Sequence, residues 1–218
     1  MKVFFFGDSI CFGQGISLHK GWVPRISSRL EELSVKLDTS ILVVNSAVNG
    51  RTTRQALLDM PYEIQSYAPD ILVVQFGMND CNYWETDRGN PRVSPKAFAA
   101  NLEEILTRAF SFGAKKVFLN TNHPTGRDTT TLPYSDITYQ QSNERYNRII
   151  RDVADLFSDK VILNDMETTF YKTASKRDEL LPLLLSDFLH LSEKGHEVYL
   201  NTIYKKIAQE ISYRVSNL

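Results

Sequence analysis

At 218 residues the chain is long enough to bury a sizeable core without disulfide or metal staples. Apolar residues make up 42% and charged residues 23%, and 25 basic against 26 acidic residues leave a formal net charge of −1, which excludes the concentrated positive field that generic nucleic-acid binding needs. Two cysteines, Cys11 and Cys81, exclude a disulfide-rich scaffold and a cysteine-based zinc site. The opening MKVFFFGDS is too short for a secretory signal region and no later stretch approaches a membrane span, so the expectation is a soluble, cytoplasmic protein.

In chain order, short apolar runs at 3–6, 41–44, 71–76, 117–119 and 161–163 read as strands, often continuously apolar as in strands buried on both faces. Between them lie amphipathic stretches. Phe98, Leu102, Ile105, Leu106, Ala109 and Phe110 recur at helical spacing before Gly113, and Tyr146, Ile149, Ile150, Val153 and Phe157 do the same. A last helix runs from about Ser192 to Val215, with Ser192 and Glu193 as its start signal. Strand–helix alternation predicts an α/β domain with a parallel sheet of about five strands covered by helices. No repeat, low-complexity tract or Gly/Ser-rich linker interrupts it, so one domain over 1–218 is expected. Residues 81–95 and 123–139 read as long loops, which in compact domains are often functional.

Ligands of open parallel sheets bind beyond the carboxyl ends of the strands. Three polar clusters fall there: Gly7-Asp8-Ser9, the stretch from Asn45 to Gly50, and Gly77-Met78-Asn79-Asp80. A serine attacks an acyl group only when a base takes its proton and a third group orients that base. Four histidines are available. His19 looks exposed, His196 falls inside the last helix, and His123 borders a loop where it could touch substrate. His190 closes Ser186-Asp187-Phe188-Leu189-His190 just before the last helix. An Asp three residues ahead of a His in a non-helical turn can reach the imidazole Nδ1, although the same pair could simply cap the helix. A developing oxyanion would also need donors, and the backbone at Gly50 and the amide of Asn79 supply both kinds.

These residues together resemble the SGNH superfamily of GDSL-type esterases and lipases. Gly7-Asp8-Ser9-Ile10 is similar to the first block, with isoleucine for the usual leucine. Asn45 to Gly50 is similar to the second, Gly77 to Asp80 to the third, and Asp187-Phe188-Leu189-His190 to the fifth. The resemblance implies a flavodoxin-like three-layer α/β/α sandwich. It also implies Ser9 as nucleophile, His190 as base and then acid, and Asp187 as its orienting partner. The backbone N–H groups of Ser9 and Gly50 and the side chain of Asn79 would form the oxyanion hole, with no metal and no organic cofactor. A small-molecule ester is the expected partner; the number of copies in the assembly stays open.

Cys11 and Cys81 follow Ser9 and Asn79 at equal offsets, so neighbouring strands would bring the thiols close, either as a redox device or as two buried reduced thiols. Cys11 is also an alternative nucleophile. Tyr83 and Trp84, with Glu85, Arg88 and Arg92, could stack on a sugar or grip an anion, or pack on the surface. Leu180 to Leu185 could wall an acyl pocket or fill the core. These cues lean toward a short acyl or acetyl ester. Acyl transfer, lysophospholipase or thioesterase activity at the same site is the nearest alternative, and a non-catalytic binding domain of the same fold the more distant one. A nucleotide site is excluded, because Gly13-Gln14-Gly15 lacks both the P-loop Lys-Ser/Thr and the third glycine of a dinucleotide fingerprint.

Overall fold

The computed structural model describes residues 1–217. Five parallel strands, β1 (Lys2–Gly7), β2 (Leu42–Asn45), β3 (Ile71–Gln75), β4 (Lys116–Asn120) and β5 (Val161–Asn164), form one sheet in the order β2-β1-β3-β4-β5. The chain therefore moves outward from β1 in both directions, and the switch lies between β1 and β3, where such sheets open a crevice. All five expected strands are present. Helices α1 (Ser9–Phe12), α2 (Trp22–Lys36), α6 (Met166–Thr173), α7 (Arg177–Leu180) and α8 (Glu193–Val215) pack together in one group, while α3 (Thr53–Glu63), α4 (Pro95–Ser111) and α5 (Tyr139–Leu156) pack in another, leaving the sheet between two helical layers. Among the described residues no helix is long and apolar enough to cross a membrane.

The continuously apolar runs behave as expected at the centre of the sheet. Val3 to Phe6 and Ile71 to Val74 are wholly buried, as strands covered on both faces must be. Strand β2 departs from that expectation. It has a single neighbour, and Leu42 is 49% exposed. Edge-to-face aromatic packing fixes the first helical layer against β1, with ring centroids 5.4 Å apart for Phe5 and Trp22. The same indole donates from Nε1 to the Ile10 carbonyl at 2.8 Å, which ties α2 to the short helix that carries Ser9.

Helix α5 begins earlier than its apolar pattern indicates, at a capping box formed by Thr138 and Gln141. Its first turns are buried but polar, and each polar group reaches another loop. Gln140 Oε1 accepts from the Thr125 N–H at 2.7 Å, Ser142 donates to the Cys81 carbonyl at 2.7 Å, and Asn143 donates to the His123 carbonyl at 2.9 Å. These bonds staple the loops after β3 and β4 to one helix, beside the strand ends where the polar clusters gather.

Candidate active site

Ser9 leaves the end of β1 on a single helical turn whose N-cap is Asp8. The Asp8 Oδ1 accepts from the Ile10 N–H at 3.0 Å, and Gly13, at φ +86°, ends the turn. Gly7 is needed for close approach. A Cβ there would stand 2.6 Å from the Cys11 Cβ and 2.8 Å from the Gln75 carbonyl oxygen, so α1 could not fold back over the strand end. Gly7→Ala is expected to lower unfolding free energy by about 1–3 kcal/mol through overpacking. Chemical denaturation measures this, and an unchanged midpoint would mean that the strand end yields without cost.

At the other end of the chain, His190 Nε2 lies 2.9 Å from Ser9 Oγ, and His190 Nδ1 lies 2.5 Å from Asp187 Oδ2. The second carboxylate oxygen of Asp187 accepts from the backbone N–H groups of Leu189 and His190, each at 3.0 Å. The turn between them places Phe188 at φ +59°, a left-handed conformation that a bulky residue adopts only when its surroundings hold it there. Part of that hold is His123. Its Nε2 lies 2.9 Å from the Leu189 carbonyl oxygen and its Nδ1 3.0 Å from the Tyr199 hydroxyl. A carbonyl can only accept, so Nε2 carries the proton and Nδ1 accepts from Tyr199. Partial burial works against charge on Asp187, but hydrogen bonds from the His190 ring and the two backbone N–H groups hold its carboxyl below the ordinary range. It is therefore ionised at neutral pH and keeps the Nδ1–H tautomer of His190.

Gly50 sits in the loop between β2 and α3 at φ +77°, with no atom within 4 Å of where a Cβ would stand, so backbone shape rather than crowding calls for glycine. The loop is held to the end of β1 by the Val48 N–H, which donates to the Gly7 carbonyl at 3.1 Å, and is braced against α3 by Arg51. The buried Arg51 guanidinium makes two 2.8 Å bonds to Glu63 and one of 2.8 Å to the Ser46 carbonyl. Asn79 reaches the same loop, its Nδ2 donating to the Arg51 carbonyl at 3.3 Å. Among the described residues no protein group accepts from the backbone N–H of Ser9 or Gly50. Both remain free to bind an incoming oxygen.

Below this surface lie two wholly buried carboxyl groups, Asp8 and Asp80. Asp80 Oδ1 accepts from the Thr53 N–H at 2.9 Å and its hydroxyl at 2.5 Å, which ties α3 to the end of β3. Among the described residues no hydrogen bond reaches the Oδ2 atom of either Asp. Burial pushes the Asp8 carboxyl up to about 7 and the Asp80 carboxyl up to about 6. A folded-state value above the unfolded one means that stability is lost as pH rises through that interval, because only the unfolded chain ionises freely. Asp8→Asn keeps the cap and cannot ionise. It should therefore gain on the parent by about 2–3 kcal/mol between about pH 5 and about pH 8. Parallel urea titrations at the two pH values test this, and a pH-independent difference would show that Asp8 ionises without penalty.

The remaining sequence candidates fall into place by burial. Trp84 is 50% exposed on the loop after β3, whereas Tyr83 is 9% exposed and turned into the protein. His123 has no exposed surface and both ring nitrogens are engaged, so the expected contact with substrate is corrected to a structural one. Burial also pushes its ring down to about 4, which keeps it neutral. His196 is buried and accepts from the Trp22 N–H at 3.2 Å, while His19 is exposed. Leu180, Leu183 and Leu184 are buried in the core. Cys11 and Cys81 are free and buried, and burial raises both thiols far from the range in which a thiolate forms, which argues against both the redox device and Cys11 as nucleophile. Among the described residues no group of three or more His, Cys, Asp or Glu is placed to hold a metal ion. The contacts of Arg51 and Arg92 around the Gly50 loop had no local signal in the sequence.

The 2-1-3-4-5 parallel sheet between two helical layers is the flavodoxin-like arrangement of SGNH hydrolases, and Ser9, His190 and Asp187 lie in line at its switch point. The chain belongs to the GDSL-like lipase/acylhydrolase family, whose model matches residues 5–198. It is similar to an arylesterase from Vibrio mimicus, 26% identical over 63% of this chain and 62% of that protein, so the likeness spans less than two thirds of the relative. Its fold is shared with a lipase/acylhydrolase from Enterococcus faecalis, at 23% identity and TM-score 0.70 over 96% of each chain. An acetyl xylan esterase has the same fold at 20% identity and TM-score 0.76, over 95% of this chain and all of that one.

Proposed function

We propose that the protein is a serine esterase that hydrolyses short-chain acyl or acetyl esters. The observation that carries this reading is the continuous line from Ser9 Oγ to His190 Nε2 at 2.9 Å and from His190 Nδ1 to Asp187 at 2.5 Å. His190 takes the Ser9 proton as Oγ attacks the ester carbonyl carbon, and the imidazolium that results is balanced by Asp187. The carbonyl oxygen, now negative, is received by the free N–H groups of Ser9 and Gly50 and by the Asn79 amide. His190 then gives its proton to the departing alcohol. Water, deprotonated by the same imidazole, releases the acid from Ser9 and restores the hydroxyl.

Two features favour a small acyl group on a polar alcohol. In the leucine run ahead of Asp187, Leu180, Leu183 and Leu184 are spent on core packing rather than left open for a long chain, and Leu181 and Leu185 are half-buried. The loop beside the site instead exposes Trp84 and Arg88. Family membership and the arylesterase relative support ester hydrolysis in general. A panel of acetyl to long-chain aryl esters, acetylated sugars and lysophospholipids tests the proposal. Turnover confined to short acyl groups, with fluorophosphonate label mapped to Ser9, is the expected result. Turnover rising with chain length would overturn the acyl assignment, and absence of label on Ser9 would overturn the mechanism.

A further inference from the structure

The loop that joins β3 to α4 is closed at its base. The Arg92 N–H donates to the Asn82 carbonyl at 2.9 Å, the Val93 N–H donates to the Asp80 carbonyl at 3.2 Å, and the buried Tyr146 hydroxyl donates to the Val93 carbonyl. The backbone of Arg92 is thereby fixed, although the tip of the loop is exposed. From this base the side chain turns back over the Gly50 loop. A single nitrogen, Nη1, lies 3.2 Å from the Gly50 carbonyl oxygen and 3.3 Å from Asn79 Oδ1. The guanidinium carbon stands 4.0 Å from the centre of the Trp84 ring. Stacking on an indole fixes the plane of a guanidinium, and its donors lie in that plane.

This arrangement decides which way the Asn79 amide points. The two ends of an amide are nearly equal in size, so packing alone does not choose between them. Arg92 has no acceptor, and only Oδ1 can face it. Nδ2 is then directed to the opposite side, where it donates to the Arg51 carbonyl at 3.3 Å. An amide turned half a revolution would present a carbonyl oxygen where negative charge develops. The same Nη1 holds the carbonyl of Gly50, so one group sets the spacing of two donors that come from different loops.

We propose that Arg92 is the positioning residue of the oxyanion hole and that Trp84 is its backstop. This rests on the reading of Gly50 and Asn79 as oxyanion donors. One face of the Trp84 ring is occupied by Arg92, so the exposed indole serves the geometry of the site rather than a ligand on that face.

The test uses the whole chain with p-nitrophenyl acetate, comparing Arg92→Ala, Arg92→Lys, Asn79→Ala and the double variant Arg92→Ala/Asn79→Ala. Misplacing a donor by an ångström costs about 10²-fold, so Arg92→Ala should lower kcat by about that factor and leave KM within about threefold. Arg92→Lys keeps the charge but has no planar fork to stack on Trp84 and meet both acceptors. It should stay within about threefold of Arg92→Ala. Removing Arg92 from the Asn79→Ala protein should add less than about tenfold, because only the Gly50 contact is left to lose. A raised KM with unchanged kcat would make Arg92 a substrate contact and overturn the proposal, as would full recovery with lysine or fully additive losses. Fluorophosphonate capture in the parent protein separates the two readings. No label on Ser9 removes the esterase site itself, whereas label with an undiminished kcat in Arg92→Ala removes only the role of Arg92.

Discussion

Ser9→Ala is expected to lower kcat for ester hydrolysis by roughly 10⁴–10⁶-fold, with little change in stability. The size follows from the chemistry. Without Oγ no acyl-enzyme forms, and what is left is direct attack by water in a site that still binds substrate and steadies the oxyanion. The small structural effect follows from the contacts. Ser9 Oγ has one hydrogen bond, to His190 Nε2, and the helical turn around it is held by Asp8, by Gly13 and by the Trp22 indole. Cys11→Ala is the control, since that thiol is buried two residues away and removing it leaves the serine and its base intact. Steady-state rates, thermal melts and fluorophosphonate labelling of the two variants make the comparison. Retention of full activity in Ser9→Ala would show that the triad reading is mistaken.

Much of this site was readable because its parts are local. Gly7-Asp8-Ser9 follows a buried strand directly, and Asp187 and His190 lie three residues apart in one turn, so each piece carries its own signal. The central strands were readable for a similar reason: two covered faces leave only apolar residues in Val3 to Phe6 and Ile71 to Val74. Where the reading fell short, distant parts of the chain decide the outcome. Leu42 looks like any core strand residue until the sheet order leaves β2 at an edge. The burial of the first turns of α5 was hidden because Gln140, Ser142 and Asn143 are held by hydrogen bonds to other loops, and apolar periodicity is blind to that. His123 looked like a loop residue near substrate, yet its partners are Leu189 and Tyr199, distant in sequence. Arg92 is the extreme case. Its role depends on loop closure and on two acceptors from separate strand ends, neither of which leaves a pattern in its neighbours.

Asp187→Asn should reduce kcat by about 10⁴-fold at neutral pH while leaving the fold in place. Asparagine is nearly isosteric with aspartate, so the loss must come from protons rather than shape. Asp187 Oδ1 accepts from two backbone N–H groups, those of Leu189 and His190. In the variant the amide oxygen must keep those two donors satisfied, because a half-buried N–H left facing an NH₂ group would be unpaired. The NH₂ is therefore turned toward His190 Nδ1, the position that Asp187 Oδ2 occupies at 2.5 Å in the parent. A donor there requires Nδ1 to accept, which moves the imidazole proton to Nε2. Nε2 then faces Ser9 Oγ with a hydrogen instead of a lone pair and cannot take the hydroxyl proton. Nitrogen NMR of the His190 ring would report this tautomer change directly, and steady-state kinetics its consequence. If the variant kept its rate within about tenfold of the parent, the carboxylate would not be setting the tautomer, and Asp187 would be only the cap of the turn before α8.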